Sequence, residues 1–133
     1  MSLDSYSVDR GDDFYSCGGK VISHETTDLA GRLLLIEAVI SFGMDNEGIL
    51  EVTEVVELDA SGRPHRRRYR YHFSYRDLFL FRYCRDFKRH PELPEHKHVG
   101  LADHRIDSGP IRFSEVVSEI YDVIADIAAS AMP

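Results

Sequence analysis

The feature that most constrains the fold is an alternation of aromatic and polar residues over residues 65–75. Every second residue from Tyr69 to Tyr75 is aromatic, and arginine, histidine or serine stands between them. Because successive side chains of a strand point to opposite faces, this period of two predicts a β-strand. We expect the aromatic residues to lie in the core, although they also offer stacking surfaces for nucleobases. The opposite face is predicted to carry Arg66, Arg68, Arg70, His72 and Ser74.

Other segments have the alternating or β-branched character of strands. They are residues 20–27, 32–42, 49–58 and 78–83. Ser114 is a suitable cap for a helix from Glu115 to about Ala131, whose apolar residues recur at helical spacing. We therefore predict an α+β fold, an antiparallel meander sheet of about five strands with the C-terminal helix packed on one face.

The length of 133 residues predicts a single domain over residues 1–133. A short helix or strand near Phe14 is compatible with the first segment. The predicted parts are a loosely ordered lead-in (1–18), the antiparallel sheet (19–84), a His-rich loop (85–110) and the C-terminal helix (114–131).

The strands at 49–58 and 65–75 are predicted to form a hairpin around residues 59–62. That register places Leu50 opposite Tyr71 and Glu51 opposite Arg70. Both pairings are favourable in antiparallel strands. A slip by one residue would turn the arginines into the core, so we expect the assignment of faces to hold.

Charge is distributed unevenly along a chain whose net charge is −7. From Arg63 to His90 there are nine arginines and one lysine but only two aspartates, so a basic block lies in an acidic body. The overall negative charge argues against indiscriminate nucleic-acid binding, whereas the block is suited to a localised anion site.

The sequence shows no membrane or secretory signal. No apolar run approaches the roughly 18 residues that span a bilayer. The polar, acidic N-terminal residues do not resemble a signal peptide. Two cysteines, Cys17 and Cys84, are too few for a disulfide scaffold, so we expect free thiols, an inert Cys84 and a cytoplasmic setting.

Arginine and histidine at two-residue spacing form a suitable phosphate surface. Guanidinium groups donate paired hydrogen bonds to phosphate oxygens, and imidazole exchanges protons near neutral pH. Metal-free RNA cleavage needs both, a base on the 2′-hydroxyl and cations on the transition-state phosphorane. His72, on the same predicted strand face as Arg68 and Arg70, is suited to this chemistry, and a solvated or hydrogen-bonded strand histidine is the alternative.

A second group of histidines follows at His90-Pro91-Glu92 and His96-Lys97-His98. The prolines stiffen this segment, which is suited to catalysis, to phosphate binding or to a merely ordered loop. A divalent metal is a further alternative, but the spacing matches no tight zinc signature. We therefore assign no metal ligands and expect no cofactor.

The ordered motifs from about Arg32 to Val99 resemble the TumE family of toxin-like proteins, found beside helix-turn-helix antitoxins in prokaryotic type II modules. The resemblance rests on Tyr71-His72, Phe81-Arg82-Tyr83, His90-Pro91-Glu92 and His96-Lys97-His98. This chain has Cys84-Arg85 where the family usually has Asp-Asn after the aromatic residue. The resemblance implies a toxin-like role with a helix-turn-helix antitoxin as partner.

These observations predict a toxin-like protein that acts on RNA by metal-independent phosphodiester chemistry. The catalytic candidates are His72, His90, His96, His98 and Glu92. The phosphate-binding candidates are Arg68, Arg70, Arg82 and Lys97. Two alternatives are a non-enzymatic binding domain, with a basic face for nucleic acid or an acidic protein, and a divalent-metal-binding module. A homodimer is compatible with the sequence, and no membrane partner is expected.

Overall fold

A computed structural model of the protein describes residues 2–86, 95–100 and 104–131. Within these described residues seven strands form one antiparallel sheet, in which each strand pairs with the next along the chain. The elements are α1 (Leu3–Ser16), β1 (Lys20–Leu29), β2 (Leu33–Phe42), β3 (Gly48–Leu58), β4 (Pro64–Tyr75), β5 (Leu78–Arg85), β6 (Glu95–Val99), β7 (His104–Asp107) and α2 (Phe113–Ala131). The α+β class, the meander and the C-terminal helix are confirmed, with seven strands where about five were expected.

The core lies between one face of the sheet and both helices. Phe14 of α1 is fully buried, and its ring centroid lies 5.2 Å from that of Phe113 in α2. The Phe113 ring in turn contacts Tyr71 of β4, at 6.4 Å. Tyr69, Tyr71 and Phe73 are all buried, which confirms that the aromatic face of β4 is core. Neither helix in the described part of the chain is long and apolar enough to cross a membrane.

Residues 3–16 form a helix, where a loosely ordered lead-in was expected. Ser2 caps this helix, since its hydroxyl accepts a hydrogen bond from the Ser5 amide at 3.1 Å. Only Leu3 and Phe14 of α1 are buried, so the segment lacks the apolar stripe by which amphipathic helices are recognised. Tertiary contacts, rather than local pattern, account for its helical structure.

The segment predicted as a loop over residues 85–110 contains two short strands, β6 and β7. β6 pairs with β5, and places His96 opposite Cys84 and His98 opposite Arg82. The four polar residues and one valine of β6 follow two prolines and give a weak strand signal, so the strand forms because it pairs with the existing edge of the sheet.

The β3–β4 hairpin differs from its predicted register by two residues from Gly48 to Val55, and by one residue from Val56 to Leu58. Leu50 lies opposite Phe73 rather than Tyr71, and Glu51 lies opposite His72 rather than Arg70. A shift of two residues keeps every side chain on its face, so the predicted faces of Arg68, Arg70 and His72 are unchanged. The turn is longer than expected because the Asp59 carboxylate accepts hydrogen bonds from the amides of Ser61 and Arg63, at 2.9 and 3.0 Å.

A β-bulge at Arg67 corrects the predicted position of Arg66. Val55 pairs with Arg68 and Val56 pairs with Arg66, so Arg67 is the extra residue. Beyond the bulge Arg66 lies on the aromatic face, where it donates to the Tyr71 hydroxyl at 2.8 Å. A bulge cannot be inferred from alternation alone, because the alternation predicts no extra residue.

Glu54 is a fully buried carboxylate that links α1 to the sheet. It accepts hydrogen bonds from the Tyr6 hydroxyl at 2.7 Å, from Arg10 Nε at 3.2 Å and from the Tyr71 hydroxyl. Burial and the nearby carboxylate raise the pKa of Tyr6 and of Tyr71, so both hydroxyls remain protonated donors. The carboxylate is therefore paired with a cation and hydrogen-bonded, as a buried charge requires.

We expect Glu54→Ala to lower the free energy of unfolding by about 3 kcal/mol, because it leaves a largely buried guanidinium without its carboxylate. This value is at the lower end of the range for a broken buried ion pair, because Arg10 retains its ion pair with Asp13, at 3.0 Å. Glu51→Ala in the same strand is the control, because Glu51 is exposed and should change stability by less than about 0.5 kcal/mol. Urea unfolding measures both, and equal effects would contradict the assignment.

Candidate functional site

The sheet face opposite the helices gathers arginine, histidine and cysteine side chains from three strands. Arg70, Cys84 and His96 lie in one row across β4, β5 and β6. The adjacent row holds His72, Arg82 and His98. Directly opposed residues of antiparallel strands share a face, so both rows point to the same side. We call this cluster the Arg–His face: Arg68, Arg70, His72, Arg82, Cys84, His96 and His98.

A cleft of about 450 Å³ opens on the Arg–His face and is lined by all of its residues except His72. Arg68 and Arg70 are exposed, whereas His96 and His98 are only 1% and 8% exposed. The cleft therefore combines solvent-accessible cations with shielded imidazoles. An anion can reach the guanidinium groups directly, while the histidines lie in surroundings that exclude most water.

His72 is held by its neighbours in a defined tautomer. Arg82 Nε donates to His72 Nδ1 at 3.2 Å, and the Phe79 ring stacks on the imidazole with centroids 5.0 Å apart. Burial, followed by the charges of Arg82 and Arg70, lowers the pKa of His72. The imidazole is therefore neutral at pH 7, and its proton is on Nε2 because Nδ1 accepts. His72 does not line the cleft, but in this arrangement it keeps a hydrogen-bond donor, Nε2, on the same face of the sheet.

His96 and His98 face each other. Their Nε2 atoms lie 2.8 Å apart, and their ring centroids lie 4.6 Å apart. At this distance one Nε2 donates and the other accepts, so the neutral pair carries one proton between the two atoms. Such a pair has a lone pair and a proton close together. It is thus the part of the face best suited to proton transfer.

The arginines of the face retain donors for an external anion. Among the described residues Arg70 and Arg82 make no ion pair with a carboxylate. Arg68 contacts Asp86 at 3.5 Å, and 60% of the Arg68 side chain is exposed. Exposed pairs of this length contribute little, so Arg68 can exchange Asp86 for a phosphate at small cost.

Cys84 belongs to the same cluster, although sequence reasoning treated it as inert. One ligand atom of Cys84, one of His96 and one of His98 lie within 4.8 Å of one another. Burial raises the pKa of the Cys84 thiol, against the opposing effect of Arg82 and Arg70. To find this grouping from the sequence, residues 78–85 would have had to be paired with residues 95–99. This pairing was not made because β6 was not predicted.

Lys97 does not join the Arg–His face. It lies on the helix side of the sheet, where its Nζ is 2.7 Å from Glu119 Oε2 and 5.1 Å from the Tyr83 ring centroid. Its position between His96 and His98 in an extended strand explains why it points the other way. The other predicted site residues, His90 and Glu92, lie outside the residues that the structure describes.

A larger cleft of about 660 Å³ lies on the helix side, between α1, the start of α2 and the start of β4. Its lining includes Arg10, Arg66 and Arg112. Arg10 pairs with Glu54 and Asp13, and Arg66 donates to Tyr71, so both cations are already engaged in contacts that stabilise the fold. The Arg–His face, whose cations are less engaged, is the stronger candidate.

Comparison with known proteins agrees with the predicted resemblance. A family model described as Toxin TumE matches residues 20–131, from β1 to α2, and includes every residue of the Arg–His face. Only α1 among the elements lies outside the match. No curated protein and no solved structure matches the chain significantly. The chain thus belongs to the TumE family of toxins and is a toxin-like protein.

Proposed function

We propose that this toxin-like protein acts on RNA by metal-independent phosphodiester chemistry at the Arg–His face. The supporting observation is the convergence of His72, Arg82 and His98 in one row across three strands, beside exposed Arg70. Guanidinium and imidazole groups are the two classes that RNA cleavage without a metal requires.

The reaction would follow from this arrangement. After the hydrogen bond between the two imidazoles opens, the Nε2 that had accepted it takes the proton of a ribose 2′-hydroxyl, and the 2′-oxygen attacks the adjacent phosphorus. The bond from phosphorus to the 5′-oxygen breaks, and the departing oxygen receives a proton from the same pair. The products are a 2′,3′-cyclic phosphate and a 5′-hydroxyl. Arg70 and Arg82 bind the phosphate oxygens, and His72 donates its Nε2 proton to the developing charge.

The partner of this protein is proposed to be an antitoxin encoded in the same module. Membership of a toxin family implies an antitoxin in general terms. We infer a helix-turn-helix type from the family resemblance, and a cytoplasmic setting in which RNA is available. An antitoxin that supplies carboxylates to Arg68 and Arg70 would block the phosphate surface, because both side chains are exposed.

A second function is favoured by the burial of the imidazoles. His96 and His98 are nearly inaccessible, whereas Arg68 and Arg70 are exposed, an arrangement that also suits a non-enzymatic surface for nucleic acid or an acidic protein. Binding without cleavage, weakening steeply as salt rises, would distinguish this function from catalysis.

We expect the purified protein to cleave RNA in the presence of EDTA, and His98→Ala to lower the rate by about 10²–10⁴-fold, the usual loss for a general acid–base group. His65→Ala is the matched control, because His65 is exposed on β4 beyond the bulge and should retain activity. Gel analysis of total RNA and growth arrest on expression measure the effect. Intact RNA with and without divalent metal, or growth arrest unchanged by His98→Ala, would contradict the proposal.

We expect His72 to titrate below its ordinary pKa of 6.5, because it is partly buried beside two arginines. Arg82→Met should raise the pKa, since it removes a positive charge and the donor to Nδ1. Arg70→Met should raise it less, because Arg70 has the smaller effect. Arg67→Met, at the exposed bulge, is the control. Histidine titration by NMR measures all four proteins, and an unchanged pKa in Arg82→Met would contradict the assigned contact.

A further inference from the structure

We propose that Cys84, His96 and His98 form a binding site for a transition-metal cation of the Zn²⁺ class. One ligand atom from each residue lies within 4.8 Å of the others. Cys84 and His96 are direct partners across β5 and β6, and His98 follows two residues later on the same face. The three ligands are therefore held by two hydrogen-bonded strands rather than by a loop.

The distances are close to those of a tetrahedral site. Zn²⁺ binds nitrogen at about 2.0–2.1 Å and thiolate sulfur at about 2.3 Å, which places two nitrogens about 3.3 Å apart and sulfur about 3.5 Å from nitrogen. The two Nε2 atoms lie at 2.8 Å, so they must separate by roughly 0.5 Å to admit the ion. The Cys84 sulfur lies within 4.8 Å of the imidazole nitrogens, so it must approach them by at most about 1.3 Å.

The donor set selects the class of metal. One thiolate and two imidazoles favour Zn²⁺, Co²⁺ and related ions over Mg²⁺ and Ca²⁺, which prefer oxygen ligands. Three protein ligands leave a fourth position, which water or an anion can occupy. The thiolate leaves a bound divalent ion with one net positive charge, and the neighbouring Arg70 and Arg82 favour an anionic fourth ligand.

The shielding of the site suits metal binding as well. His96 and His98 are 1% and 8% exposed, so few water molecules compete for their nitrogens, while the adjoining cleft of about 450 Å³ provides a path for the ion. The sequence matched no zinc signature because the cysteine and the histidines come from different strands.

Metal binding would also regulate the proposed activity, a consequence that rests on the proposed function. A metal bound through the imidazoles of His96 and His98 occupies the lone pairs that proton transfer requires. Zn²⁺ would therefore inhibit metal-independent cleavage, and a chelator would restore it, whereas Mg²⁺ would have no such effect.

Titration of the full-length protein with Co²⁺ tests the site, because a thiolate ligand adds a sulfur-to-cobalt charge-transfer band in the near ultraviolet. We expect this band, together with tetrahedral visible bands, to saturate at one equivalent and to be displaced by Zn²⁺ but not by Mg²⁺. Absence of the charge-transfer band in the wild-type protein would overturn the proposal, whatever spectra the variants give.

Paired variants identify the ligands. Cys84→Ser should abolish the charge-transfer band, and Cys17→Ser, which changes the other free thiol, should retain it. His98→Ala should weaken Co²⁺ binding at least tenfold, whereas His65→Ala should not. Loss of the band in Cys17→Ser instead of Cys84→Ser would overturn the assignment. Circular dichroism verifies that each variant is folded.

The spectra do not depend on RNA cleavage, so the metal site and the proposed function can fail separately. Saturable binding at Cys84 without any cleavage would support the site and count against the function. Cleavage that persists when Zn²⁺ saturates the site would overturn the regulatory consequence.

Discussion

The register between β4, β5 and β6 determines which side chains of this protein meet. It places His72, Arg82 and His98 in one row and Arg70, Cys84 and His96 in the next. A slip by one residue in β4 would bury Arg70 and expose Tyr71, which is fully buried. Burying an unpaired guanidinium group would cost more free energy than a few new contacts could provide. The register is therefore fixed by the burial of the aromatic face of β4. The packing of the core therefore positions the candidate site, although no residue of the Arg–His face belongs to the core cluster.

Arginine side chains lie on both faces of the sheet at β4, but their surroundings differ between the two faces. On the helix side Arg66 and Arg10 lie against Tyr71 and Glu54, and each donates to a side chain of the fold. On the other side Arg70 is exposed and has no carboxylate partner among the residues that the structure describes. A satisfied buried network stabilises and orients structure, whereas cations left to solvent are available to a ligand. This difference, rather than residue type, distinguishes a structural cluster from a candidate site.

Sequence reasoning succeeded where periodicity alone determines structure. Alternation in β4 predicted the buried faces of Tyr69 and Phe73, and the spacing of apolar residues predicted α2. It failed where tertiary contacts decide. α1 has no apolar stripe and is held by Phe14 and by the Glu54 network, whose donors come from distant residues. The bulge at Arg67 adds one residue that no alternation signals. β6 was missed because its four polar residues and one valine form a strand only when a sheet edge is present, and the place of Cys84 in the site was missed with it.

The hydrogen bond between His96 and His98 connects the two activities argued for the Arg–His face. At 2.8 Å the two Nε2 atoms share a proton, and a proton or a metal ion can occupy the space between them but not both. The proposed proton transfer to RNA and the proposed metal binding are thus mutually exclusive uses of the same atoms. Because metal binding must displace that proton and ionise the Cys84 thiol, acid favours the metal-free form. The arginines also favour the metal-free form, because their positive charges repel a metal cation and attract a phosphate. If both proposals hold, the metal-free state of this face is therefore favoured by acid and by the two arginines, whereas the thiolate and imidazole ligands favour the metal-bound state.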